Sequence, residues 1–424
     1  MSPLRRALVV VAALHCVLLF GWGAADPIYD EVGYLAAGEE VARFVRCTVG
    51  LVSGPDCAAA GPSSLGRLAW HNPGYAALFP IAALLPGPAA LWIRLLQIAA
   101  GLIAGAATGA LLRRWTSERV ALVGALVVWL HPVQLFFRMT LWPVAVATAA
   151  AAVSALLVAR LAERPGSEQR ARQLGLAVVA LVFVWPPALA LVPFGAVWAA
   201  RLGRNGGHLM GPLLVTWLPW ALLASLVLGR PSAMDLAAAE NTALGNNPWI
   251  ADGRGSALHD PPAVQRLRFE SAVGCPAEAG LERLRCRAAR QDAISRRTMA
   301  ADPAGAAQRA LLRFLETWRP DDFVDRHLAD LRVWAEPPAA GLRATWGGAA
   351  RLAEIATLLA VLLACVGALR DRRVALLVGA AVLATTPVLL TVGLTRLRQP
   401  GLPWIVAAVL LTLPHLRRTY TRPR

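Results

Sequence analysis

The chain has 424 residues, 57% of them hydrophobic, and a mean hydropathy of +0.52, which excludes an ordinary soluble protein of several domains and marks an integral membrane protein. Its formal net charge is +16, yet all 42 basic residues are arginine, so the excess speaks for a GC-rich genome rather than a nucleic-acid surface.

Residues 7–23 form the first apolar segment, with Arg5 and Arg6 before it and no clear small-residue cleavage site after it. They read as a retained helix. Next comes DPIYDEVGYLAAGEEVARFVR at 26–46, which opens on the acidic pair Asp30 and Glu31 where the chain leaves the membrane. Tyr34, Leu35, Val41, Phe44 and Val45 fall on one side of a helical wheel, between Glu39, Glu40, Arg43 and Arg46, so the spacing predicts an amphipathic helix on the membrane surface. A carboxylate held there can act as a base on a molecule arriving from water.

Residues 47–67 are rich in Gly, Pro and Ser, and lead to WHNPGYAALFPIAALLPGP. The apolar run 74–85 is too short to cross about 30 Å of hydrocarbon, so it predicts a second surface or re-entrant helix. Expected spans then fall at 88–112, 119–137, 140–160, 172–185, 186–200 and 209–229, the two before the last meeting at a WPP break. Residues 230–346 are polar, long enough for a small domain, and helical in period over PPAVQRLRFESAV and AAQRALLRFLETW. Spans at 348–369, 374–393 and 401–416 follow. The expected fold class is an all-α polytopic membrane protein of about ten transmembrane helices. Amphipathic surface helices occupy its first outer loop, and a small, mostly helical exoplasmic domain lies beyond. Its parts are a transmembrane region 1–229 with a catalytic loop 24–72, the domain 230–346, and a transmembrane region 347–424.

Ten spans put both termini on one side. The segments 1–6, 113–119, 160–173, 201–208, 370–373 and 417–424 hold 18 Arg against 4 acidic residues, whereas 24–72 holds 3 against 6 and 230–346 holds 16 against 15. By the positive-inside bias the first group is cytoplasmic and the two large loops face outward. Five arginines remain: Arg94, Arg138, Arg351, Arg396 and Arg398. All fall near the outer ends of their spans, which predicts either snorkelling to headgroups or a bound anion, and forked guanidinium donors suit phosphate. Cys47 and Cys57 share the first outer loop, and Cys275 and Cys286 the second. Local bridges Cys47–Cys57 and Cys275–Cys286 are therefore expected, leaving Cys16 and Cys365 as packing residues.

The order of motifs resembles the glycosyltransferase C superfamily, and within it looks like the protein O-mannosyltransferases and the bacterial aminoarabinose transferases of lipid A. YDEVGY at 29–34 is similar to their first-loop acidic motif, and HNPGYAALFP at 71–80 to a turn that reads HPP or KPP in relatives. LHPVQLFF at 130–137 resembles the end of their third helix, and TRLRQPGLP at 395–403 an arginine-and-proline signature before the last helix. The similarity covers about three-quarters of the chain. Two departures stand out: MTLWP at 139–143 lacks the acidic residue that relatives carry at the start of the fourth helix, and His71–Asn72 replaces a basic residue or proline.

The resemblance implies sugar transfer from a polyprenyl-phosphate donor to an acceptor hydroxyl at the outer face of a bacterial cytoplasmic membrane. Asp30 is the expected base and Glu31 its orienting partner, with Arg396, Arg398, Arg138 and His71 toward the donor phosphate. Tyr34, Asn246 and Asn247 line the acceptor side. The partners are the lipid-linked sugar, membrane lipids and a protein, lipid or glycan acceptor. No nucleic acid, cofactor or metal is indicated, although a divalent ion is compatible. His259–Asp260 and Asp321, Asp322 and Asp325 read as helix-start acids. The competing classes are a transporter or flippase of a lipid-linked sugar, and a non-catalytic scaffold.

Overall fold

Caps and prolines cut the apolar sequence into a series of helices, and every regular element among the described residues is helical. The computed structural model describes residues 3–22, 26–27, 30–51, 57, 73–232, 238–249, 268, 270–275, 281–320, 323–330, 339–389 and 395–420. Helix α1 (Pro3–Trp22) precedes α2 (Asp30–Thr48), the short pair α3 (Pro73–Ala76) and α4 (Leu78–Leu84), and α5 (Ala89–Arg113). Then come α6 (Glu118–Leu130), α7 (Pro132–Met139), α8 (Val144–Glu163), α9 (Glu168–Val184), a 3-10 turn (Pro186–Leu191), α10 (Val192–Arg201) and α11 (Arg204–Leu228). The polar region contributes α12 (Ala238–Gly245), α13 (Leu281–Ala301), α14 (Pro303–Trp318) and α15 (Phe323–Asp330). Helices α16 (Ala340–Ala368), α17 (Arg372–Leu383) and α18 (Leu402–Tyr420) close the chain, with 3-10 turns Thr386–Leu389 and Thr395–Gly401 before α18.

Among the described residues, four helices are long and apolar enough to cross a membrane: α5, α8, α11 from Asn205, and α16. The pair α6–α7 makes a fifth if counted as one broken span, bent by 50°. The other expected spans fall on helical segments that do not meet this standard. Helix α9 opens on Glu168, Arg170 and Arg172, and α17 has only 12 residues. The expected straight span 119–137 breaks at His131–Pro132, because Pro132 has no N–H to give Val128 and its ring excludes a continuous helix.

Helices α5 and α8 form the centre, with 61% and 72% of their spanning windows buried, against 17% for α11 and α16, whose outward faces carry leucine and valine. Small residues let the central helices approach: a Cβ on Gly105 would overlap the Trp129 indole, and Trp404 Nε1 donates to the Ala151 carbonyl at 2.9 Å across α18 and α8. The buried stripe of α2, Glu31, Tyr34, Ala37, Gly38, Val41 and Ala42, rests on α4, while Val32 and Val45 stay exposed. A Cβ on Gly38 would sit 2.9 Å from the Phe79 carbonyl carbon, so glycine sets this close contact. The Cys47–Cys57 and Cys275–Cys286 sulfurs lie at bonding distance, with Cα atoms 5.6 and 5.9 Å apart.

Candidate functional site

Several expected residues meet around one short turn, Thr140–Pro143, between α7 and α8. Proline starts α8, and the residues just before it leave backbone groups with no helical partner. Side chains from other elements satisfy them. Glu31, 1% exposed in the first turn of α2, accepts the Leu141 N–H at 2.7 Å. Tyr75 of α3 donates its hydroxyl to the Leu141 carbonyl at 2.6 Å, and Gln97 of α5 donates to the Trp142 carbonyl. Gln97 also donates to the Tyr75 hydroxyl at 2.7 Å, while Arg94 Nε donates to the Met139 carbonyl at 3.0 Å. MTLWP is thus a backbone hub: it brings no acid of its own but holds one delivered by α2.

Charge is concentrated beside the hub. Arg94 is fully buried within electrostatic reach of Glu31 and of exposed Asp26, and so supplies the counter-charge for a carboxylate shut away from water. Burial, with Tyr34 and Glu31 adding to it, pushes the Tyr75 phenol well above its ordinary 10.0, keeping it a neutral donor. Tyr34 stacks on Phe79 at 5.1 Å and meets Tyr75 edge-on at 5.3 Å, so the expected acceptor-side tyrosine forms part of the aromatic wall behind Glu31. On the other flank the Arg396 guanidinium lies over the Trp142 ring, 5.2 Å from its centroid, and His327 of α15 meets the same ring edge-on at 5.0 Å. One indole therefore links the 395–401 signature to the turn that Glu31 holds.

The structure does not bring the remaining residues to this hub in the expected way. Arg138 is committed elsewhere: its Nη atoms donate to the Val128 and Trp129 carbonyls, at 2.8 and 2.5 Å, and lie 2.7 Å from His15 Nε2. These are the carbonyls that the Pro132 break orphans, so Arg138, expected at phosphate, closes a broken helix in this fold. Arg398, also expected at phosphate, is buried against Glu354 and donates to the Thr317 and Arg319 carbonyls at 2.9 Å. Asn246 and Asn247 are buried and close the end of α12, donating to Thr242, Ala243 and Leu244 carbonyls. Asn247 also accepts from Trp249 N at 3.0 Å, which is the ordinary use of asparagine in a turn. The Asp30 side chain, His71, His259, Asp260, Asp321 and Asp322 lie outside the described residues. The backbone of Asp30 opens α2.

Compared with family models, with curated proteins and with solved structures, the chain matches none. The reading of the site therefore stands on its own residues.

Sequence reasoning missed Gln97, Tyr75, Glu354 and His327 as neighbours of the acidic pair and arginines. A signal for two of them was present. Arg94 and Gln97 are three apart in an otherwise apolar 25-residue helix, and Arg351 and Glu354 repeat that spacing in α16; polar groups so placed face a partner. Tyr75 and His327 carry no such mark. Between α6, α16 and α18 a cleft of about 530 Å³ is lined by Leu130, Ala356, Ala360, Ile405 and Val409, with His131 and Thr357 as its polar residues. It opens beside Pro132, about 12 Å along the 8-residue α7 from the hub. Among the described residues no three His, Cys, Asp or Glu side chains gather as metal ligands.

Proposed function

We propose that the protein is a membrane glycosyltransferase that moves a sugar from a polyprenyl-phosphate donor to an acceptor hydroxyl at the outer face of the cytoplasmic membrane. The observation carrying this reading is the seating of the acidic pair: Glu31 is locked into the hub beside Arg94, which fixes the start of α2 and with it the backbone of Asp30. Four motifs that resemble the glycosyltransferase C superfamily support it, since two of them, at 29–34 and 395–403, converge on Leu141 and Trp142.

In this mechanism Asp30 removes the proton from the acceptor hydroxyl as that oxygen attacks the anomeric carbon. The new bond forms to carbon while the bond from carbon to the phosphate oxygen breaks, and the electron pair leaves with polyprenyl phosphate. Arg396, half-exposed on Trp142, balances the charge growing on the leaving phosphate. Glu31 positions the base and takes no proton. A single displacement inverts the anomeric configuration. The apolar cleft between α6, α16 and α18 offers hydrocarbon surface to the donor's prenyl chain.

A transporter or flippase is the competing reading. It calls for charge or broken helices at mid-membrane, and the α6–α7 break and the buried Glu354–Arg398 pair are the features in its favour. Against it, Arg138 donates to both free carbonyls of the break, which gives them a fixed partner within the protein. Mass spectrometry of envelope lipids and glycans from cells with and without this protein tests the assignment. Loss of one sugar from a defined lipid, protein or glycan supports transfer. The same loss with the lipid-linked sugar accumulating on the cytoplasmic leaflet, rather than on the outer one, supports transport.

A further inference from the structure

Two successive helices of the polar region turn opposite kinds of surface outward. Helix α13 behaves as a helix in water: Glu282, Arg285, Arg290, Arg296 and Arg297 are exposed, and Ala288, Gln291 and Ser295 are buried. Helix α14 is inverted. Arg313, Glu316 and Thr317 are buried, at 1%, 8% and 0% exposure, while Leu311 and Leu315 are 57% and 54% exposed, with Ala304, Ala307 and Gln308 on the same side. A helix that hides an arginine and a glutamate and shows leucine is facing hydrocarbon.

Its place in the fold agrees by two rulers. The charged turn 370–373 marks one membrane boundary for both α16 and α17. Glu354 lies 14 residues, about 21 Å, along α16 from Ala368, inside a hydrocarbon core of about 30 Å. Arg398 joins Glu354 to the carbonyls of Thr317 and Arg319, so the end of α14 shares that depth. Independently, the 12 residues of α17 reach only about 18 Å before the turn Thr386–Leu389, and Arg313 donates to the Leu389 carbonyl at 2.6 Å. Trp318 Nε1 meets Thr385 Oγ1 at 3.3 Å in the same layer. Even if α14 ran straight toward the water, Leu311 would stand only about 9 Å beyond Thr317, still at the hydrocarbon edge.

We propose that α14 is a membrane-embedded helix, and that Leu311 and Leu315 lie in the lipid of the leaflet at the Ala340 end of α16. Its polar face supplies the hydrogen bonds that α17 leaves unmet where it stops short. Its leucines face outward as Leu352, Ile355 and Leu359 do on α16. This amends the expectation that 230–346 lies wholly in water. It rests on α16 being a span, and is independent of any sugar chemistry.

Spin labels test it in phospholipid proteoliposomes of the full chain. The background carries Cys16→Ser and Cys365→Ser, which remove the two free cysteines, and labels go on separately at Leu311→Cys and Leu315→Cys. Leu359→Cys, 61% exposed on α16, is the lipid reference, and Arg296→Cys, with a 73% exposed side chain, is the water reference. The ratio of oxygen to nickel-chelate collision at 311 and 315 is expected to match that at 359 and exceed that at 296 several-fold. A ratio like that at 296 places the face in water and overturns the proposal. Low collision with both reagents shows a protein partner or second copy on the face, and overturns it equally. Each leucine is exposed, so either position alone decides if the other variant fails to fold.

Discussion

At the residue scale, the site depends on charge and phenol groups that burial constrains. Glu31 and Arg94 are each costly to bury alone and tolerable together, so their substitutions are coupled. Glu31→Gln and Arg94→Gln are each expected to lower the unfolding midpoint, and the double variant to lose less than the sum. A double-mutant cycle in detergent should give an interaction energy of about 0.5–3 kcal/mol. Tyr75 titrates with a definite sign. Its folded pKa is raised, so the stability it contributes is present below pH 10.0, the ordinary value, and is lost as pH rises through the folded pKa. Thermal midpoints of the wild type should therefore be level in Tyr75's contribution near neutrality and fall in alkali. Tyr75→Phe should flatten that fall while costing about 1–3 kcal/mol, because the Leu141 carbonyl loses its donor.

At the element scale, breaks in helices are repaired by side chains from elsewhere, and this is the part of the fold that periodicity does not reveal. The break at Pro132 was open to reading from the sequence, since a proline inside an apolar run rarely continues a helix. That Arg138 repairs it was not: an arginine near a helix end looks the same whether it meets phosphate or carbonyl oxygen, and only the path of α1 past it tells them apart. Arg138→Met should destabilise the fold by about 1–3 kcal/mol per orphaned carbonyl, read as a lower unfolding midpoint. Gly101→Leu should act in the same direction, because even a methyl there overlaps the guanidinium. Amphipathic α2 was legible in outline, Tyr34 and Val41 falling on its buried face. Its docking on α4 was not, because the close approach at Gly38, where an added Cβ would overlap Phe79, depends on a helix remote in sequence. Asn246 and Asn247 show the same limit, as turn asparagines and ligand asparagines share one sequence appearance.

At the scale of the whole molecule, the helical membrane character and both cysteine pairings were readable from composition and spacing, since hydrocarbon thickness and loop closure leave few choices. Span limits were less so. A 29-residue α16 and a 12-residue α17 share the same membrane boundary, and hydropathy alone does not say that α14 stands beside the shorter one. The proposed orientation makes a direct prediction: a cysteine introduced at Ser117, the cap of α6, should resist an impermeant thiol reagent in intact cells, and one at Ser256 should react. Reaction at Ser117 instead would invert the molecule and place the acidic pair on the nucleotide-sugar side. The central claim is that Asp30, in the acidic pair opening α2, is the base of sugar transfer, and the measurement closest to it is turnover of a radiolabelled polyprenyl-phosphate sugar pool, with an envelope extract supplying the acceptor, by purified, reconstituted protein, wild type beside Asp30→Asn. The account predicts release of free polyprenyl phosphate by the wild type and its loss in Asp30→Asn, with an unchanged unfolding midpoint; equal turnover by the two proteins would contradict it.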